Sequence, residues 1–228
     1  LIALPLSSAP AAYLLAQSEG FEFATEAAIG MLAGTASQVV FALCYGVISK
    51  SKNPVISLLI GTLGFCAFTA LLAPLNLNVY SALIIVIVSI FIGIKIFNAL
   101  DREVEEVVTE TQPIPSWDLP ARMISAGLVV FAITASAPII GAHLAGLLSP
   151  FPIFGAILAF FAHLNQSSRA ANHALKGLVY GLITPTLFFF TLAITLENIG
   201  YPAFLIATLI ALSFQLISGK LLLKQQNN

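Results

Sequence analysis

The sequence predicts an all-α, polytopic membrane protein of about eight transmembrane helices, arranged as two parallel four-helix repeats. Three observations predict it. The 228 residues are 59% hydrophobic and only 8% charged, against about a quarter charged in an ordinary soluble domain. Apolar runs near the roughly 20 residues a helix needs to cross the hydrocarbon core follow one another along the chain. The charged residues also sort by loop. Nine basic against ten acidic residues leave a net charge of -1, which provides neither a basic surface for nucleic acid nor an acidic excess typical of a disordered tail.

Eight spans are expected: Leu1 to Gln17, Ala24 to Ile48, Val55 to Leu72, Val79 to Phe97, Met123 to Ile140, Ala142 to Leu164, Gly177 to Leu196 and Tyr201 to Gly219. Short alternating segments, the mark of a transmembrane β-barrel, do not occur. The first run is short, carries Pro5 and Pro10, and lacks the basic start and small-residue cleavage site of a signal sequence. It is read as a span trimmed at its start.

The positive-inside rule places Lys and Arg on the cytoplasmic side. Lys50 and Lys52 follow span two; Lys95, Arg102 and Arg122 surround the connection from four to five; Arg169 and Lys176 lie between six and seven; Lys220 and Lys224 follow eight. All nine fall on one side. The opposite loops carry Glu19, Glu22, Glu26, His143 and Glu197 and no Lys or Arg. Both termini are expected in the cytoplasm, and the localisation read from this pattern is a multi-pass protein of a cell (inner) membrane.

The stretch from Asn98 to Leu119 divides the chain into a first membrane unit (1–98), an acidic cytoplasmic linker (99–118) and a second membrane unit (119–228). A shift of 116 residues superposes Gly30 on Gly146, Leu32 on Leu148 and Gly61 on Gly177. Four spans per unit would point the two units the same way, the parallel type of repeat. In the linker, Pro113 and Pro115 stop a helical extension, and Trp117 stands where an interfacial aromatic anchors span five. The acidic residues Asp101, Glu103, Glu105, Glu106 and Glu110 are either a solvated tether or a docking segment for a protein partner.

No Asp or Glu lies in the middle of a span, which disfavours a carboxylate-based proton antiporter. Matched positions of the two units supply the best site candidates. Span two holds Gly30, Gly34, Thr35, Ser37 and Gln38; the equivalent part of span six reads Gly146, Leu147, Leu148, Ser149, Pro150, Phe151, Pro152. Paired interruptions of this kind mark transport sites, because unwound backbone within the membrane must line a cavity. Thr35, Ser37, Gln38, Ser149, Pro150 and Pro152 are therefore the expected substrate-binding residues. The same glycines step by four along one helix face, so close helix packing, with Gln38 bonded to a neighbour, accounts for them equally. Gly177 with Gly181 and Gly61 with Gly64 read as helix contacts, and Pro138 and Pro185 as kinks.

His163, Arg169, His173 and Lys176 gather at the cytoplasmic mouth of spans six and seven, as a seat for a phosphate or lipid headgroup or simply as the positive-inside signal. Cys44 and Cys66 lie within spans and are expected to be packed free thiols. No nucleophile–His–carboxylate set, H-E-x-x-H helix, P-loop or G-x-G-x-x-G turn is present, so neither an enzyme nor a cofactor is expected. The composition and spans thus point to a small transporter or permease in the lipid bilayer, moving a neutral or amphipathic solute through a site between the two repeats. The alternative is a non-catalytic membrane subunit or assembly factor docked through its linker. A lipid-modifying enzyme built around His163 is a third reading.

Overall fold

The computed structural model describes residues 8–102, 120, 124 and 149–226. Most of these are helical, with no strand among the described residues. We number the helices α1 (Ser8–Ser18), α2 (Phe21–Ser49), α3 (Pro54–Leu72), α4 (Val79–Arg102), α5 (Ile153–Asn165), α6 (Ser168–Gly181), α7 (Ile183–Ile199) and α8 (Pro202–Gln226). Four segments are long and apolar enough to cross a membrane: Phe21–Ser49, Pro54–Leu72, Val79–Asp101 and Ser168–Ile199; Ile153–Asn165 and Pro202–Leu216 are shorter apolar helices. The chain is thus a multi-pass helical membrane protein.

Local chemistry explains most boundaries. Asn53 accepts a hydrogen bond from the Ile56 N–H at 3.0 Å and precedes Pro54, so α3 begins with a side-chain cap and a proline whose missing donor costs nothing there. Asn78 accepts from the Ser81 N–H at 2.9 Å at the start of α4, and Ser167 from the Ala170 N–H at 3.1 Å at the start of α6. Gly200 turns α7 into α8 with φ at 65°, a conformation that glycine adopts without steric cost. The Phe21 ring lies 3.1 Å from where a Cβ would stand on Gly200.

α2 is the centre of the protein. It packs against α1, α3, α4, α6 and α7. Its sequence explains this: Ala24, Ala28, Ala33, Gly34, Ala36, Ala42 and Gly46 are all buried, and small residues let helix backbones approach closely where lipid offers no hydrophobic drive for association. The most apolar window of α2 is 61% buried, whereas those of α3 and α4 are only 28% and 22% buried. Ile84, Ile87, Val88 and Phe91 of α4 are exposed accordingly, as the lipid-facing side of a peripheral span should be.

Charge divides the bundle into two ends. Glu19, Glu22, Glu26 and Glu197 lie at the end where α1 meets α2 and α7 meets α8; Lys50, Lys52, Arg169 and Lys176, with Asp101, lie at the other. We call these the acidic and basic ends.

The helices correct several sequence expectations. Span seven was placed at Gly177 to Leu196, yet helix begins at Ser168, and only Gln166 and Ser167 separate it from α5. Arg169, His173 and Lys176 therefore sit on a helix, not in a loop. The interruption between α6 and α7 at Leu182 has a local cause: Pro185 has no N–H to give the Gly181 carbonyl and its ring crowds that group, while the Leu182 N–H is shared between the Leu178 and Val179 carbonyls at 3.1 and 3.3 Å. The described part of span one is the 11-residue α1, about 16 Å long and too short to cross a bilayer by itself. Cys66 is exposed rather than packed. The expected pairing of two four-helix units extends over residues outside the description: positions 142–148 of span six are not described, and its described part is non-helical at 151–152 before α5 begins at Ile153. Span five and the linker beyond Arg102 fall outside the described residues, apart from single helical positions at Pro120 and Ile124.

Candidate functional site

One helix face of α2 carries Glu26, Gly30, Ala33, Gly34 and Ser37, spaced by four, three, one and three residues, which stacks them in a single stripe. Against this stripe lies a partly open cavity of about 460 Å³, whose other walls come from Leu15 of α1, Thr69 and Leu72 of α3, and, at the acidic end, the α3–α4 connection at Leu75 to Asn78. It is wide because the stripe has almost no side chains. At Gly30 nothing lies within 4 Å of where a Cβ would stand. From Glu26 to Ser37 the helix rises about 16 Å, which takes the cavity to the middle of α2.

Its floor is polar. The Thr69 hydroxyl donates to the Ser37 hydroxyl at 2.9 Å, with both residues buried. This bond satisfies two groups that would otherwise cost of order 1–3 kcal/mol each inside the bundle.

Beyond that pair, toward the basic end, aromatic rings take over. Phe151 meets Phe41 edge-on at 5.8 Å between centroids and Phe65 at 5.2 Å, and Phe41 continues to Tyr45 at 6.1 Å. Phe41, Phe65 and Tyr45 are fully buried. Tyr45 in turn reaches His163, its Oη 3.4 Å from Nδ1. The cavity is thus backed by a continuous aromatic layer.

The expected site residues divide into three groups. Ser37 lines the cavity, with Gly30 and Gly34 of the same face. Pro150 stands directly behind it: its Cγ lies 2.7 Å from where a Cβ would sit on Gly34, so only glycine lets the turn at Ser149 and Pro150 approach α2 this closely. The structure therefore brings the two marked stretches together, one intact and one broken, as Phe151 and Pro152 are non-helical and α5 begins at Ile153. Thr35 and Gln38 are not part of the lining. Thr35 is buried and donates to the Met31 carbonyl of its own helix at 3.1 Å, while Gln38 is half-buried. Ser149 is half-buried and Pro152 buried, at the N-cap of α5.

The sequence reading missed Thr69, Glu26, Asn76 and Asn78. It also places the site between two repeats; the described residues lining this cavity lie between positions 15 and 78. A spacing signal existed for Glu26, one turn before Gly30; none existed for Thr69, which meets Ser37 only through the packing of α3 on α2.

The basic end does not form one ligand seat. Lys176 is paired with Asp101 at 2.5 Å, His163 is turned to Tyr45, and His173 is exposed. The pair ties α6 to α4 and engages the first acid of the expected docking segment. Asn172, one turn before Lys176, is buried, with Oδ1 2.7 Å from the place a Cβ would occupy on Gly46, a tight crossing of α6 on α2.

The chain matches no known protein family model, and no curated protein or solved structure is significantly similar to it.

Proposed function

We propose that this protein is a small membrane permease for neutral or amphipathic solutes, with its solute site in the cavity along α2. One observation carries the reading: a partly open cavity runs from Glu26 near the acidic end to the Ser37–Thr69 hydroxyl pair at mid-helix, and one turn further along α2 and α3 the rings of Phe41, Phe65 and Phe151 pack together. A passage that opens to one side at a time needs this combination of a hydrated half, a polar resting place and a dry seal. The lining suits a small ligand by size, since such pockets commonly hold about 300–1,000 Å³. By the positive-inside rule the basic end is cytoplasmic, so the cavity faces outward in this conformation, and Ser37 and Thr69 exchange hydrogen bonds with a bound solute.

Reconstituted vesicles test this with a panel running from glycerol to choline. At least one solute is expected to enter faster than into protein-free vesicles, and labelling Gly30→Cys with a bulky maleimide, in a chain whose Cys44 and Cys66 have been replaced, is expected to slow it about tenfold or more. The reading is overturned if no solute of the panel enters above background, or if filling the cavity leaves entry unchanged.

A further inference from the structure

We infer that the cavity selects amphipathic organic cations and turns away anions, with Glu26 as the residue that reads the charge. The inference rests on the permease reading and names its substrate class. Among the described residues lining the cavity, Glu26 is the single formal charge; the polar remainder is Ser37, Thr69, Asn76 and Asn78, and the rest is apolar or glycine. A carboxylate over an apolar slot presents the complement of an ammonium group carrying an alkyl or aryl tail.

Three features of the geometry sharpen this. Glu26 sits one helical turn above Gly30, where nothing fills the space of a Cβ, so a cation held at the rim, about 6 Å higher along the helix, has open room below it for its tail. Phe23 lines the same rim three residues before Glu26 and is 36% exposed; an aromatic face beside a carboxylate is the combination that holds quaternary ammonium groups, because ring quadrupole and charge attract the same ligand. Finally, among the described residues no Lys or Arg lines the cavity beside Glu26. Lys50, at the far end of the same helix, lies about 36 Å away along the axis, several screening lengths of about 8–10 Å at physiological salt. Glu22 and Glu197 share the acidic end and reinforce the sign of its field. The floor adds no contrary preference, since the Ser37–Thr69 pair carries no charge.

The test uses two membrane-impermeant methanethiosulfonates of similar size, one ending in trimethylammonium and one in sulfonate. They react with Gly30→Cys in the full chain with Cys44 and Cys66 replaced, each rate being divided by that reagent's rate with a free thiol in solution. Any effect of Glu26 on the ionisation of the new thiol cancels in the ratio. A unit charge about one turn away, in a medium between water and protein in polarisability, is expected to favour the cation about tenfold. Glu26→Gln should bring the ratio below about threefold, while Glu22→Gln, which lies off the lining, should leave most of it. Equal rates with Glu26 present overturn the charge selection but leave the cavity standing, as does a preference that survives Glu26→Gln. Failure of both reagents to react, in protein that elutes as a single folded species, overturns the permease reading together with this inference. Choline entry into vesicles gives a second readout: measured against glycerol entry into the same vesicles, it should fall severalfold in Glu26→Gln.

Discussion

The two halves of α2 use glycine for opposite purposes. In the half toward the acidic end, Gly30 faces empty space and the stripe below Glu26 is kept small. In the half toward the basic end, Gly46 is pressed by Asn172 and Phe97, whose atoms lie 2.7 and 2.9 Å from where its Cβ would be, and Phe41 and Tyr45 are buried among other rings. One glycine makes a cavity and the other lets helices cross. The difference shows that a small-residue face in a membrane helix has no single meaning: its role is set by what stands opposite.

Substitutions can break this contrast or sharpen it. The largest effect is expected from Phe65→Ala, which removes a fully buried ring of the seal. It should cost about 3–5 kcal/mol in a detergent unfolding titration, as Phe truncations in packed cores do, and reconstituted vesicles should become leaky to small solutes. Gly46→Ala comes next, at about 1–3 kcal/mol, the usual cost of forcing a methyl group into a packed contact; the same titration checks it. The smallest belongs to Gly30→Ala, within about 0.5 kcal/mol of the parent, as for a change that meets no packed neighbour. Equal costs at Gly30 and Gly46 would erase the distinction between the halves.

How much of this was legible in the sequence depended on whether a feature is local. α2, α3 and α4 could be read from hydropathy to within a few residues, because each is a long apolar run ended by polar turns. The start of α6 was hidden, since Ser168, Arg169, Asn172, His173 and Lys176 look like a loop until one sees that Ala171, Asn172 and Leu175 form its buried side. In the site, the spacing of Gly30, Gly34 and Ser37 was visible, and the break around Pro150 and Pro152 followed from proline chemistry. Their matched positions also suggested that the two stretches share a site, and Pro150 does meet Gly34; the pairing of Ser37 with Thr69 was not visible, because contacts between helices leave no periodic trace in the chain. Thr35 illustrates the converse: its position suggested a ligand contact, but its hydroxyl is spent on the turn behind it.

The interruption at Leu182 divides one long brace of α2 into two. Ser168–Ile199 would otherwise be a stiff rod of 32 residues bracing α2 from end to end. Instead α6 grips the crowded half, through Asn172 at Gly46, and α7 runs toward the acidic end, where Gly200 receives Phe21. The interruption of the hydrogen-bond ladder therefore lies in the brace rather than in the unbroken α2, between the part that packs at Gly46 and the part that ends beside Phe21.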